Sequence, residues 1–379
     1  MMRALLLVLV GVLAACSSAK RENIKPPKEL EDIETRISVQ RLWSRNLGDV
    51  GGRSGLDMSV TAYQGRLYAA NTKGELLVID PNSGSEINRL RTKHRFASTP
   101  GAGEGVIAVG TLDGTVVVFD AQTLEERYVQ QLTSEVIAAP VIAEGHLFAR
   151  SHDGRTTAHE LSDGRRRWLH EQAVPPLSLR GNSSPRYDRG YLLNAYDDGR
   201  VIALRADDGM VVWQQQVGLG EGRTDLERLA DVDGEIVAAD GVLYAAGYDG
   251  QTVAIDIAGG HTRWNRDLSS VSGVALGQHL FVSGADGKVV ALDQHTGGAL
   301  WTQDALENRQ LSAPAVVGRY AAVGDLEGYV HWLDPDTGAI VARDRNGRDA
   351  IRSAPLAMGD VVYVTTIDGS LTAYRVSGS

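Results

Sequence analysis

The sequence predicts an all-β fold, an eight-bladed β-propeller of four-stranded antiparallel blades. Three observations predict it. A repeat of roughly 40 residues runs through the chain; each repeat reads as short strands between tight turns; and the two chain ends carry complementary parts of one repeat. "GVLYAAGYDGQTVAIDIAGGHTRW" (Gly241–Trp264), "GYLLNAYDDGRVIALRADDGMVVW" (Gly190–Trp213) and "GHLFARSHDGRTTAHELSDGRRRW" (Gly145–Trp168) align without a gap. "GQHLFVSGADGKVVALDQHTGGALW" (Gly277–Trp301) aligns with one extra residue. A turn glycine recurs at Gly74, Gly114, Gly154, Gly199, Gly250, Gly287, Gly328 and Gly369, at intervals of 40, 40, 45, 51, 37, 41 and 41, which makes eight units.

Within a unit the elements follow in order. An upstream strand such as "SAPAVV" or "SAPLAM" comes first. The next two, "VLYAA" and "TVAID" in the fifth unit, are short, rich in β-branched and aromatic residues, and joined through Asp-Gly, a strong hairpin signal. A second turn, D-x-x-x-G as in "DPNSG" or "DPDTG", offers a glycine for positive φ. The fourth strand follows and carries a tryptophan. Four antiparallel strands in so few residues, repeated eight times, fit a propeller, and the period of two with dense turns excludes a helical solenoid. The last unit, "DVVYVTTIDGSLTAYRVSGS", stops before its tryptophan position, while "RLWSRNL" (Arg41–Leu47) has an orphan Trp43 ahead of the first unit. The N-terminal segment is therefore expected to supply the outer strand of the last blade, which closes the ring and removes a free edge. Trp43, Trp168, Trp213, Trp264 and Trp301 read as structural, each ring packing between blades while its N–H finds a carbonyl. Asn88, Tyr128 and Ala342 hold the equivalent places elsewhere, so those junctions should pack differently.

Hydrophobic content of 43% with 23% charged residues fits a globular protein, and 43 glycines with 11 prolines fit many tight turns. A net charge of −10 argues against sequence-independent binding to nucleic acid. The N-terminus reads as a targeting segment, with Arg3 as the positive region and "ALLLVLVGVL" (Ala4–Leu13) as an apolar stretch too short to span a bilayer. "LAAC" (Leu13–Cys16) resembles the bacterial lipobox, and Cys16 is the only cysteine. The resemblance implies a signal peptide over 1–15 and lipidation (palmitate among the acyl chains) at Cys16; more than one chain would anchor stably. Ser17 rather than Asp after the cysteine implies outer-membrane sorting by the same resemblance. Residues 16–37, polar and with a Pro-Pro step, are expected to be a flexible tether, a short helix over 29–36 being compatible with their composition, and the propeller is expected over 38–379.

The unit pattern G-x-V-x-A-I/L-D-x-x-x-G-x-x-x-W resembles the pyrroloquinoline-quinone-type propeller repeat. Together with the lipobox, eight units and no second domain, the chain resembles the BamB family, the lipoprotein scaffolds of the outer-membrane β-barrel assembly (BAM) machinery. "PPLSLRGNSSP" (Pro175–Pro185), "DLERLADVDGE" (Asp225–Glu235) and "VVGRYAAVGDLEGYVHWLD" sharpen the likeness. It implies a non-enzymatic scaffold, anchored by lipid on the periplasmic face of the outer membrane, that docks to the POTRA domains of BamA and assists insertion of outer-membrane proteins, with unfolded precursors as a further partner class.

The same repeat occurs in quinoprotein dehydrogenases, the alternative reading. Those enzymes are longer and use calcium, a catalytic aspartate and usually a vicinal cysteine pair, which one cysteine cannot form. "DVDGE" (Asp231–Glu235) lacks the spacing of a calcium loop. Asp113, Asp153, Asp198, Asp249, Asp286 and Asp368 read as turn formers. His152, His159 and His170 share a unit without zinc-site spacing. "GGRSG" (Gly51–Gly55) is no nucleophile elbow, and "GLGEG" (Gly218–Gly222) lacks the third glycine and the strand-to-helix setting of a dinucleotide fingerprint. No catalytic residue, cofactor or metal is expected.

A binding surface is. In an up-and-down blade the hairpin between the second and third strands shares a face with the connection to the next blade. From Trp264 to Gly287 is 23 residues and from Trp301 to Gly328 is 27, but from Trp168 to Gly199 is 31 and from Trp213 to Gly250 is 37. The two longest of these connectors flank the fourth unit, so they project from one sector of one face, where loops on a rigid scaffold often carry recognition. Leu177 and Leu179 offer apolar anchors and Arg180 a forked donor, while Asp231 and Asp233 offer charge. The family resemblance implies that these five residues contact BamA. The residues alone also allow Arg180 to bond Asp231 or Asp233 and staple the two loops together.

Overall fold

The computed structural model describes residues 25–175, 183–218 and 231–378. Eight four-stranded antiparallel sheets follow one another. Seven blades are built in chain order from the inner to the outer strand, over 60–91, 101–131, 141–171, 186–216, 237–266, 274–303 and 315–345. The eighth takes its three inner strands from 356–377 and its outer strand, Ser38–Asn46, from the other end of the chain, with Trp43 opposite Ala373. The expected closure is present.

Second and third strands are buried almost throughout, as Val106–Gly110 and Thr115–Asp120 show, because both of their faces meet neighbouring blades. Their joining turns share one geometry in every blade but the fifth. The amide of the glycine reaches back three residues, as from Gly74 to the Asn71 carbonyl at 3.0 Å, and carboxylates such as Asp198 cap the turn by accepting the Arg200 amide at 3.1 Å. The turn-former reading of these aspartates fits this geometry.

The tryptophans pack between blades as predicted. Trp168 Nε1 donates to the Ala206 carbonyl of the next blade at 2.7 Å, Trp213 to Ile257 at 2.7 Å, Trp264 to Gln294 at 3.0 Å, Trp301 to Pro335 at 2.7 Å and Trp43 to Pro81 at 3.0 Å. Each ring lies on the second-turn glycine of that blade. At Gly209 a Cβ would stand 2.6 Å from the Trp168 ring, and with φ of 73° the position favours glycine twice over. Tyr128 substitutes directly, its hydroxyl donating to the Leu161 carbonyl at 3.1 Å. Where the outer strand offers Asn88, Tyr68 of the second strand reaches the Ala121 carbonyl at 3.0 Å instead. Where it offers Ala342, the room is taken by Trp332 of the third strand, edge-on to Tyr374 at 5.4 Å.

Residues 29–36 form no helix. Leu30 and Ile37 instead pack against two different hydrophobic clusters, a spacing set by an extended run along the sixth and seventh blades.

Candidate functional site

The two longest connectors between blades span 172–185 and 217–236. Both leave from the face that carries the turns between second and third strands. Leu177, Leu179 and Arg180 lie outside the described residues, as does Cys16; Asp231, Asp233 and the ends of both connectors lie within them.

The described ends are held tightly. At the start of the first connector, Gln172 donates from its side chain to Asp198 Oδ2 at 2.6 Å. At the start of the second, Gly218 forms an antiparallel bridge with Gly250. A Cβ on Gly250 would lie 2.8 Å from Gly218 Cα and from the Val217 carbonyl, so only glycine lets the connector approach so closely. In this turn Asp249, with φ of 45°, takes the left-handed conformation that the glycine adopts in the other blades. The far ends of the two connectors meet each other. Ser183 Oγ donates to the Gly234 carbonyl at 3.2 Å, Arg186 Nε donates to the Ile236 carbonyl at 3.2 Å, and its guanidinium pairs with Glu235. Glu235 in turn bridges in parallel to Gly273 of the next connector.

Beneath them lies a buried charge cluster. Arg150 ends the second strand of the third blade and is 7% exposed. It donates to Asp197 Oδ1 at 2.8 Å, to the Ser183 carbonyl at 3.4 Å and to the Ala195 carbonyl, and lies over the Tyr196 ring at 4.7 Å. Asp231 is fully buried, and its carbonyl accepts the Tyr248 amide at 2.7 Å. Val232 sits in the core between the fourth and fifth blades. Asp233 is partly exposed as a residue, but its Oδ1 is sealed from solvent. Burial pushes the Asp233 carboxyl well above the usual carboxylate range; the charges of Asp197 and Asp231 push the same way, and Arg150 opposes them. Sequence reasoning thus singled out Asp231 and Asp233, and the structure brings both together with their carboxyls turned inward. Arg150 and Asp197 were missed, although a signal existed. The position of Arg150 is occupied by Ala70, Gly110, Ala195, Ala246, Ser283, Gly324 and Thr365 in the other units, so a large cation stands out there.

Chemically this is a polar platform on which the described ends of the two connectors meet. Among the described residues no group of three or more His, Cys, Asp or Glu is arranged to hold a metal ion. No helix among them is long and apolar enough to cross a membrane.

Comparison with known proteins gives the same picture from outside. The family model described as "Outer membrane protein assembly factor BamB" matches residues 37–124, 72–286 and 285–378. An outer membrane protein assembly factor BamB of Xanthomonas campestris pv. campestris is 35% identical, with 99% of this chain and 98% of the relative covered. The crystal structure of BamB from Moraxella catarrhalis superposes with a TM-score of 0.81 at 28% identity, covering 89% of this chain and 100% of the other. A quinohemoprotein alcohol dehydrogenase from Pseudomonas putida HK5 superposes at 0.69 with 14% identity, covering 90% and 76%, which is likeness of fold alone.

Proposed function

The chain belongs to the family of the outer membrane protein assembly factor BamB, and we propose that it is a lipid-anchored, non-enzymatic scaffold of the BAM machinery that docks to the periplasmic POTRA domains of BamA. In this reading residues 1–15 are removed, Cys16 carries the lipid, and the propeller stands on the periplasmic side of the outer membrane. The docking surface is the sector of connectors around the fourth blade, where Leu177, Leu179 and Arg180 meet the partner.

One observation carries the reading. The two longest connectors are tied to each other through Ser183, Arg186 and Glu235 and are seated on the buried pair of Arg150 and Asp197. Connector ends fixed in advance reduce the conformational entropy lost on binding, which is how a docking surface gains affinity. Asp231 and Asp233 belong to this support: their inward carboxyls favour bracing the second connector over touching a partner.

Pull-down of the tagged lipoprotein from solubilised envelopes tests the proposal. BamA is expected with the native chain, and Arg180→Ala is expected to weaken recovery at least tenfold, as an arginine hot spot does, with an unchanged far-UV circular dichroism spectrum. Recovery of the folded propeller without BamA would refute it.

A further inference from the structure

The segment ahead of the closing strand is seated on the fold. Residues 25–37 run along the rim of the sixth and seventh blades. The Lys28 amide donates to the Glu307 carbonyl at 2.9 Å, and the Arg36 amide to the Val341 carbonyl at 2.8 Å. In return two arginines capture backbone carbonyls of the segment. Arg309 Nη1 donates to Lys28 at 2.8 Å and Arg343 Nη1 to Glu31 at 2.9 Å. Arg309 is 2% exposed and is itself fixed by Asp325 at 2.7 Å and by Glu327. Arg343 rests against the buried His331, whose other ring nitrogen contacts Asp325 at 3.1 Å. Between these clamps Leu30 packs on the cluster of Phe281, Leu306 and Leu333, and beyond them Ile37 is buried against Val341 and Tyr320. Lys28 adds an ion pair with Asp304 at 3.5 Å.

Arg309 and Glu307 belong to the connector between the sixth and seventh blades, so the segment enters on the connector face. It then descends the outer strand of the seventh blade, passing Arg343 before Val341, and returns as the closing strand. These contacts fasten the chain from residue 28 onward. Fully extended, the twelve residues from Cys16 to Lys28 reach at most about 40 Å, whereas the 22 from Cys16 to Ser38 would reach roughly 75 Å.

We infer that residues 25–37 are a strap that makes the connector-face rim of the sixth and seventh blades the membrane-facing side of the propeller, the partner there being the lipid surface. The inference rests on lipidation of Cys16. It converts a leash permitting any orientation into a short one that presents the connectors around the fourth blade at a set angle to the bilayer.

The test uses the mature lipoprotein inserted through its own lipid into phosphatidylethanolamine–phosphatidylglycerol vesicles bearing a headgroup quencher. One fluorophore is placed at Thr302→Cys or at Val129→Cys. These are equivalent outer-strand positions, each one residue after the blade-junction aromatic, on diametrically opposite blades. Quenching is expected to be several-fold stronger at 302 than at 129. In Lys28→Pro/Leu30→Asp, which removes the Lys28 N–H and puts a carboxylate on the apolar cluster, the difference should vanish and the Arg36 amide should exchange faster. Equal quenching at both positions in the native chain overturns the strap. A folded protein that fails to float with the vesicles overturns the anchor and the membrane-facing assignment with it. BamA capture in detergent is read separately and should be the same with or without the strap.

Discussion

Replacing Arg150 with Met removes the cation that the described connector ends depend on. Arg150 and Asp197 are both nearly solvent-free, with side chains 7% and 4% exposed, and Arg150 also serves the carbonyls of Ser183 and Ala195. Taking one partner from a buried pair costs about 3–5 kcal/mol, because the other charge stays buried without compensation. The upper half of that range is expected here, since Asp231 and Asp233 add like charge beside Asp197. The loss should be local, opening the seat of the second connector by a factor of about a hundred to several thousand. Amide exchange reads it directly. Tyr248, whose N–H is held by the Asp231 carbonyl, and Val232, held by Tyr196, should lose protection, while Ala108 in the second blade keeps its own. The double variant Arg150→Met/Asp197→Leu should recover most of the loss, because an apolar pair of similar volume leaves no orphaned charge. An Arg150→Met chain that loses less than about 1 kcal/mol, or a double variant that falls further, would refute the electrostatic account of the platform.

Asp233→Asn should stabilise the protein at pH 8, with a gain that shrinks as the pH falls toward 4 in urea titrations. The native carboxyl has a raised folded pKa, so its contribution is complete below the unfolded value of 3.8 and is lost as pH rises through the folded one; a gain that grows on acidification would contradict this. Trp168→Ala should cost about 3–5 kcal/mol and Trp168→Phe about 1–2 kcal/mol, the smaller change keeping most of the ring volume but losing the bond to Ala206; equal losses in denaturant melts would show that packing alone matters. Gly250→Val should expel Gly218 from its bridge and weaken BamA recovery while the melting temperature falls only slightly; full recovery would mean that the start of this connector does not shape the docking surface.

Much of this molecule is legible in its sequence, because a propeller repeats one local solution. Alternation, the Asp-Gly turns and the Trp-to-glycine spacing are short-range signals, and each appears up to eight times. Even the ring closure is readable, since Trp43 is a fourth strand without its blade. What escapes is long-range and made once. The strap depends on Arg309 and Arg343 donating to carbonyls some 280 and 310 residues away, and carbonyls leave no mark in a sequence. That is why 29–36 looks compatible with a helix although its backbone is claimed by the blade rim. The buried surroundings of the Asp233 carboxyl likewise include Asp197 and Arg150, which lie one blade and two blades back in sequence. The substitution of Tyr68 and Trp332 for the absent tryptophans shows a third limit. An expected difference at a junction does not say which strand will fill it.

Photocrosslinking from the docking sector tests the central claim most directly. A photoreactive residue at Leu179, compared with one at Ser44 on the outer strand of the eighth blade, across the ring from the fourth, would be activated in intact envelopes and the adduct identified. A BamA POTRA adduct from 179 and none from 44 is the predicted result. A folded, membrane-bound chain that gives no BamA adduct from 179, or the same adduct from both positions, would contradict it.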